Sequence, residues 1–496
     1  MEPTGDDKMK KKKHTKFKKG SLILAVQLVV SLLIIYTSIK IAFLPWFYQL
    51  LLVVLLIGLL MFTHIIVYPK KKKKRNAFRQ CVGLLLSLGL SFFLFISSSY
   101  LNVANNALKG MAKSDPTANY RTYVINGSYN ANDKLAGETV GLLTLGDKNE
   151  HKKAESIITN KLHCDTEDFS NVVSMLSALR RGEIQAVFIN EAYKSVCANN
   201  YTGWNRNAYC VNKMSFTYDE EDTPSNSKNL SNQAFTILIS GVDSRKSVTE
   251  TCRSDVNMLV TIQPKTHQIL MTSIPRDYFV SLSNAQGHKD KLCHAALFGT
   301  YTLQKTLINT LDINIDFYAR VSFSSLTKIV DEIGGIKIYS DKTFVPWTDR
   351  GITIKKGWQT MNGRYALAFS RERKTYTNGD SHRAANQQAV LKAIIEKLSS
   401  SPMLLKKYPA IMNDLSTSIQ TNMSADQMKQ IMRLEIASHP SWDIMNTVLE
   451  GNSKRMLGGY LMPHTSLYYM IPDEDSIETH RDYIQKMIDG QEISVK

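Results

Sequence analysis

Cysteine is scarce in this chain: six in 496 residues, five of them (Cys164, Cys197, Cys210, Cys252 and Cys293) beyond residue 100. An odd set at these spacings forms no zinc module. The 11 histidines show no ligand spacing. Neither a phosphate-binding P-loop nor a Ser-His-Asp arrangement is present. These absences remove zinc enzymes, P-loop nucleotide enzymes and serine hydrolases from consideration. Negative charge is nearly missing from residues 1–79, where 16 Lys and Arg face only Glu2, Asp6 and Asp7. That stretch carries +13 of the net +17 and leaves about +4 for the rest. The basic excess is therefore local and does not describe a nucleic-acid-binding face.

Charge of either sign is absent from three apolar runs, residues 21–39, 44–68 and 81–100. Each is close to the ~20 residues a helix needs to cross a bilayer. No small-residue cleavage site follows the first, so the pattern predicts three membrane spans and not a signal peptide. Lysines crowd the stretch before the first run and the 70–79 loop, while Lys40 is the one charge between the first two runs. By the positive-inside rule the N-terminus and the 70–79 loop are cytoplasmic, and residues 101–496 lie outside the cell. Disulfides are permitted there. Cys252 and Cys293 flank candidate site residues, so they are either a disulfide or a pair of buried thiols.

Composition divides the chain further. Residues 1–20 are a basic cytoplasmic tail and 21–100 the three helices. Residues 101–218 hold a polar stem (101–125) and a small α/β accessory domain. Within it 140–145 and 184–190 read as strands and 170–181 as a helix closed by Gly182. The acidic, Pro-containing stretch 219–233 is a linker. Residues 234–496 alternate strands (235–240, 256–262, 268–274, 336–339, 365–373, 466–471) with helices (322–333, 380–398, 476–488). That alternation predicts an α/β layer fold with room for a full core.

The candidate site lies in this last part. Asp243 follows a buried strand, where ligands of open α/β sheets gather. Asp255 opens the next strand. Two carboxylates plus substrate oxygens suit Mg2+. In a strand over 365–373, Leu367, Phe369, Arg371 and Arg373 share one face, and Glu372 faces the other way. Guanidiniums at the rim of a core need an anion, from a ligand or from a structural ion-pair network. Arg383 and Gln387 are one turn apart at the start of a helix, where phosphates bind well. Arg276 ends another strand, with Asp277 beside it.

Seven segments carry a resemblance. They are GVDSR from Gly241, RSDVNM from Arg253, SIPRD from Ser273, DKL from Asp290, VDEIGG from Val330, ALAFSRER from Ala366 and DSHRAANQ from Asp380. In this order, across about 234–490, they resemble the LytR–CpsA–Psr family. The anchor and accessory domain resemble its capsule and exopolysaccharide branch in Gram-positive bacteria. Cys252 and Cys293 are not part of that pattern. The resemblance implies a three-layer α/β/α domain with a central mixed sheet. It implies a phosphotransferase that moves a glycopolymer from an undecaprenyl-pyrophosphate carrier to peptidoglycan. Arg253, Arg276, Lys291, Arg371, Arg373, Arg383 and Gln387 would hold the pyrophosphate. Asp243 and Asp255 would hold Mg2+, or Mn2+ in its place. Arg253, Arg276, Asp243 and Asp255 would carry the catalysis, with Asp243, Asp255 or Asp277 as the base. The prenyl chain would lie in an apolar tunnel between sheet and helices. The implied partners are the lipid-linked polysaccharide, peptidoglycan, the bilayer and membrane proteins of polysaccharide export or regulation, with no nucleic acid. The alternatives are a polyprenyl-pyrophosphate phosphatase and a non-catalytic regulator of polysaccharide synthesis and chain length.

Overall fold

The computed structural model describes residues 19–41, 45–68, 77–112, 116–125, 132–219, 228–242, 248–377, 379–400, 404–438 and 441–495. The basic tail, most of the 70–79 loop, the middle of the linker and Asp243 lie outside the described residues. The chain separates into two compact units, residues 1–102 and 103–496.

The first unit holds helices Lys19–Ile41 and Trp46–Val67 and most of Ala77–Ala112. Each contains a stretch long and apolar enough to cross a membrane: Ser21–Ile41, Trp46–Val67 and Cys81–Ala112. Ile34, Leu56 and Leu90 meet where the helices touch. A Cβ on Gly83 would come within 2.8 Å of Val67 Cγ2, so a small residue is what lets these two helices approach. Most other apolar side chains point outward, as lipid-facing residues do.

The second unit begins with a correction. The third helix continues to Ala112, and Thr117–Ile125, expected as stem, is a strand inside the accessory sheet. It pairs antiparallel with Ala186–Asn190 on one side and with Ala208–Thr217 on the other. Thr139–Leu143 joins Asp165–Phe169 and Ala186–Asn190 in parallel and completes a five-stranded sheet. Alternating burial in the first half of Thr117–Ile125 was hidden in a polar-looking stretch, because Ala118, Tyr120 and Thr122 are buried while Thr117, Asn119 and Arg121 are only partly so. Helix Val172–Arg181 is capped by Asn171, whose side chain accepts from Ser174 N, and closes at Gly182 in the left-handed region (φ 75°).

The larger domain is built on a six-stranded mixed sheet. In spatial order its strands are Ile419–Thr421, Phe317–Ser322, Phe235–Val242, Ser254–Gln263, Gln268–Ile274 and Asp443–Val448. The pairs Phe235–Val242 with Phe317–Ser322 and Gln268–Ile274 with Asp443–Val448 are parallel, and the other three pairs are antiparallel. Side chains alternate between the two faces. Leu238 and Leu259 sit opposite each other, and with Leu270 they join the core that holds helices Thr300–Leu311 and Glu474–Ile488. Ile239 and Met258, one residue along, face the other way towards Leu391 of helix Gly379–Ser400. The result is the three-layer arrangement of helices, sheet and helices.

A second correction concerns 365–373. It is not a strand. Gly363–Ser370 is a helix, started by Asn362, whose side chain accepts from Tyr365 N at 3.0 Å. A short apolar run fits strand or helix by periodicity alone. Here the Ala-Leu-Ala stretch and its cap decide for helix.

Candidate functional site

A cavity of about 500 Å³ opens between the sheet and helices Phe323–Glu332, Gly363–Ser370, Gly379–Ser400 and Leu404–Ser418. Along helix Gly379–Ser400 its lining changes in character. Arg383 and Gln387 come first, then Val390, Leu391, Ile394, Ile395 and Leu398. The 15 steps from Arg383 to Leu398 span ~22 Å at 1.5 Å per residue. The cavity is thus a long apolar channel with a polar end. Ile239, Met258 and Ile419 of the sheet, and Leu326, Ile329 and Leu415 opposite, continue the apolar wall.

Asp255, Arg276, Arg371, Arg373, Arg383 and Gln387 form the polar end. Four guanidiniums against one carboxylate leave a net +3, the signature of an anion site. Six predicted residues therefore converge. The side chains of Arg253 and Lys291 lie outside the lining. Arg253 donates to Ser195 Oγ of the accessory domain at 3.0 Å. Lys291 Nζ donates to Asp277 Oδ1 at 2.7 Å, beside Arg276.

Each member is positioned by its own device. Asp255 occupies a bulge: Gly241 pairs with Val256 and Val242 with Ser254, so Asp255 is the extra residue. Bulges re-aim side chains at sheet ends. Gly241 allows it, since a Cβ there would stand 2.6 Å from Val256 Cβ. Arg276 is held by Asp255 and donates to Cys293 Sγ at 3.6 Å. The Cys252–Cys293 disulfide is accordingly not formed, because Cys293 is buried against this guanidinium.

Arg371 caps its helix and lies 4.2 Å over the Phe323 ring, and Arg373 lies 5.6 Å from the Trp347 ring. Both contacts are cation–π pairs that hold the guanidiniums against the wall. The two arginines line one cavity, but not through strand alternation. Between them Glu372 is fully buried. Its Oε1 accepts from the backbone N–H of Arg373, Lys374 and Thr375, and its Oε2 from Trp347 N. This carboxylate is the nucleus of the turn that carries both arginines. Its expected position on an opposite strand face was wrong.

Electrostatics follow the packing. Burial works against the charge of Arg276, yet Cys293, Asp255 and Asp277 together hold it above its ordinary range. Burial also pushes the Cys293 thiol up to about 11. The sulfur is therefore neutral at pH 7, and the carboxylates supply the countercharge. Arg383 is lowered, by burial first; Asp380 opposes this and the neighbouring Arg276 adds to it. Its ion pair with Asp380 is 3.1 Å long. An anion at this end would relieve the crowding of positive charge.

Beside the site, Asp290 and His294 form a buried pair, Oδ1 to Nδ1 at 3.0 Å. Asp290 also accepts from Lys291 N and Leu461 N, tying three segments together. Burial holds the His294 pKa below its usual value, with Asp290 opposing. Burial alone would raise Asp290, but the His294 hydrogen bond and charge outweigh it and the value is lowered. Both depressed values act in one direction. Stability is complete above the unfolded-state values and falls as protons bind the unfolded chain first, from about pH 6.5 for His294 and about pH 4 for Asp290. The melting temperature of the full chain should therefore drop between pH 7 and 5. His294→Gln should flatten that part of the curve, as thermal denaturation across pH would measure.

Sequence reasoning missed the anchoring role of Glu372, as well as Trp347 and the channel lining. Residues 390–398 were read as part of a helix but not as a cavity wall.

The chain is similar to known proteins over this domain. The profile of the LytR_cpsA_psr family matches residues 205–483. A polyisoprenyl-teichoic acid–peptidoglycan teichoic acid transferase TagU of Bacillus licheniformis is 31% identical over 247 residues, covering 49% of this chain and 74% of that protein. The protein of the same description from Enterococcus faecalis is 32% identical over 222 residues, covering 44% and 72%. The crystal structure of Bacillus subtilis TagV aligns at 29% identity with a TM-score of 0.44, over 52% of this chain and 98% of that one.

Proposed function

The chain belongs to the LytR_cpsA_psr family, and from that premise we propose that it transfers a glycopolymer from a polyprenyl-pyrophosphate carrier to peptidoglycan. The observation that carries this reading is the union of an apolar channel ~22 Å long with four arginines at one end. That pairing suits one class of ligand, a long hydrocarbon with a phosphate head. Undecaprenyl pyrophosphate is such a ligand. The polymer is a capsular or exopolysaccharide chain, a reading supported by the three apolar helices and the accessory domain. The described relatives act on teichoic acid.

Arg276, Arg371, Arg373 and Arg383 hold the pyrophosphate oxygens, with planar forks that match them better than ammonium groups would. Phosphoryl transfer needs position and charge stabilisation more than covalent chemistry. The acceptor hydroxyl oxygen bonds to the phosphorus nearer the polymer. The bond from that phosphorus to the bridging oxygen breaks, and polyprenyl monophosphate leaves. Arg276 keeps its charge throughout because Asp255 and Asp277 flank it.

Among the described residues no group of three His, Cys, Asp or Glu makes a protein-only metal cage. Mg2+ needs less, one or two carboxylates plus phosphate oxygens. The Asp255 carboxylate, 20% exposed at the cavity, fits that mode, and Asp243, which lies outside the described residues, is the second carboxylate of the proposal. Bound there, Mg2+ or Mn2+ would offset charge developing on the phosphates. The site works outside the cell, at the membrane surface where lipid carriers present their phosphates. That orientation rests on the positive-inside pattern of the loops. The hydrolase and regulator readings are less favoured, since the similar proteins are described as transferases.

Two measurements test the proposal. Affinity should rise from inorganic pyrophosphate to geranyl to undecaprenyl pyrophosphate, by about 10-fold or more at each step, as buried methylenes add ~0.8 kcal/mol apiece. Equal affinity across the series would remove the channel from the account. With purified peptidoglycan and lipid-linked polymer, the polymer should become wall-bound. Release of free polymer alone would make the protein a pyrophosphatase.

A further inference from the structure

Single exposed apolar side chains need no explanation, but a cluster of them does. Among the described residues beyond 103, Tyr209, Tyr339, Val345, Trp358, Leu398 and Leu457 are the large apolar or aromatic side chains that stand exposed. Tyr339, Val345 and Trp358 fall together within residues 336–361. That stretch begins and ends in a two-stranded antiparallel sheet, Ile336–Ser340 with Gly357–Met361. Alternation gives the sheet two faces. Ile336, Ile338 and Met361 turn inward and join a core with Val390 and Ala393 of helix Gly379–Ser400. Lys337 and Tyr339 turn outward, opposite Thr360 and Trp358. Trp358 is 66% exposed and Tyr339 49%. Their rings meet edge to face with centroids 5.5 Å apart, and Lys337 Nζ lies 5.3 Å from the centre of the indole. A packed inner face thus holds an aromatic pair and a cation up into solvent.

The charge of the same stretch has one dominant sign. Residues 336–361 hold Lys337, Lys342, Arg350, Lys355 and Lys356 against Asp341 and Asp349, a net +3. All five cations are exposed. The two carboxylates are engaged: Asp349 pairs with Arg364, and Asp341 accepts from the Tyr376 hydroxyl at 2.6 Å. Residues 80–496 as a whole carry about +4, so everything else in them sums to about +1.

We propose that this sheet face docks on the headgroup region of an anionic phospholipid bilayer. Trp and Tyr concentrate at that depth, where the ring meets hydrocarbon and its polar edge meets water. Lysines lay their stems along apolar surface and reach the headgroup phosphates, each adding roughly fivefold in affinity for an anionic surface. A glycan is the weaker match. A sugar platform needs fixed hydrogen-bonding side chains around its ring, and the Gln359 amide beside Trp358 is spent on Lys355 O. Three helices long and apolar enough to cross a membrane keep a bilayer at hand. The docking rests on the chemistry of the face and is independent of the transferase reading.

The test uses the full chain, labelled with fluorotryptophan and reconstituted in lipid nanodiscs. Trp358 is the fluorine resonance lost in Trp358→Phe. Tyr339→Trp, which adds a resonance from the same face, gives the same readout should Trp358→Phe fail to fold. In discs containing phosphatidylglycerol, a lipid with a nitroxide near its headgroup should broaden the Trp358 line at least about twofold, as for a ring at the interface. A water-soluble gadolinium chelate should broaden it less. Trp204, 2% exposed in the accessory domain, is the internal control that neither agent reaches. Pure phosphatidylcholine discs should lose about half or more of the lipid effect, and so should Lys355→Glu with Lys356→Glu in the anionic discs. If the nitroxide lipid leaves the line sharp while the chelate broadens it, the face stands in water and the inference is wrong. If neutral discs and the charge-reversed variant give the full effect, the face does not recognise an anionic surface and the inference is equally wrong. If the line responds only to an added glycan-strand oligomer, the face is a glycan platform and the bilayer is excluded. The readout is contact and not turnover, so each outcome stands whether or not the protein transfers polymer.

Discussion

Arg276→Ala is expected to reduce transfer by about 100- to 1000-fold, the scale seen when one donor to a developing oxyanion is removed. The same change should destabilise the fold by roughly 3 kcal/mol, since removing one partner of a buried ion pair leaves the other uncompensated. Among the described residues Asp255 would lose its one ion-pair partner, whereas Asp277 keeps Lys291. Arg276→Lys separates the two effects. A lysine retains the charge and recovers much of the stability, but it lacks the fork that meets two phosphate oxygens at once. Transfer should stay at least ~10-fold down in that variant. Thermal denaturation and an initial-rate assay below the melting transition measure the two quantities independently. Normal transfer by Arg276→Ala would remove this side chain from the chemistry.

Glu372→Ala should be the most damaging substitution outside the anion-binding groups. Four backbone N–H groups converge on this fully buried carboxylate. Hydrogen bonds to a charged group are worth ~1.5–3 kcal/mol each. The contributions are not additive, so a loss of about 4 kcal/mol is the expected total. Arg371 and Arg373 would lose their shared turn, and the affinity for a polyprenyl pyrophosphate should fall at least ~10-fold with them, as misplaced binding groups do. Glu372→Gln gives a graded result. Its carbonyl oxygen can still accept from Arg373, Lys374 and Thr375, but its NH2 group would face the donating Trp347 N–H. About half of the stability loss should remain. A chemical-denaturation series on the three proteins measures the order. Indistinguishable midpoints for Glu and Ala would show that the turn is held by something else.

Much of the fold was legible in the sequence. The membrane helices follow from hydropathy. Strands Phe235–Val242, Ser254–Gln263 and Gln268–Ile274 follow from apolar runs bounded by turn residues. The two misreadings have one cause. Residues 117–125 and 365–373 are short segments whose local pattern fits more than one state, and packing decided between them. Among site residues, Arg383 and Gln387 were placed correctly because helical spacing is local. Arg371 and Arg373 were paired correctly for a wrong reason: a capped helix and a carboxylate-centred turn bring them together, not a pleat.

The sequence by itself determined the anchor, the α/β class, the order of the motifs and the excess of guanidinium groups in the last domain. Each depends on residue type and on spacings of a few residues, which local backbone geometry translates directly into structure. Only the tertiary structure decided that Asp255 and Arg276, 21 positions apart, close on each other at the end of an apolar channel. It also decided that Glu372 is an internal anchor for the turn that carries Arg371 and Arg373. Those facts depend on which sheet ends and helix turns meet, and such contacts are fixed by packing across the whole domain and not by any stretch of the chain read alone.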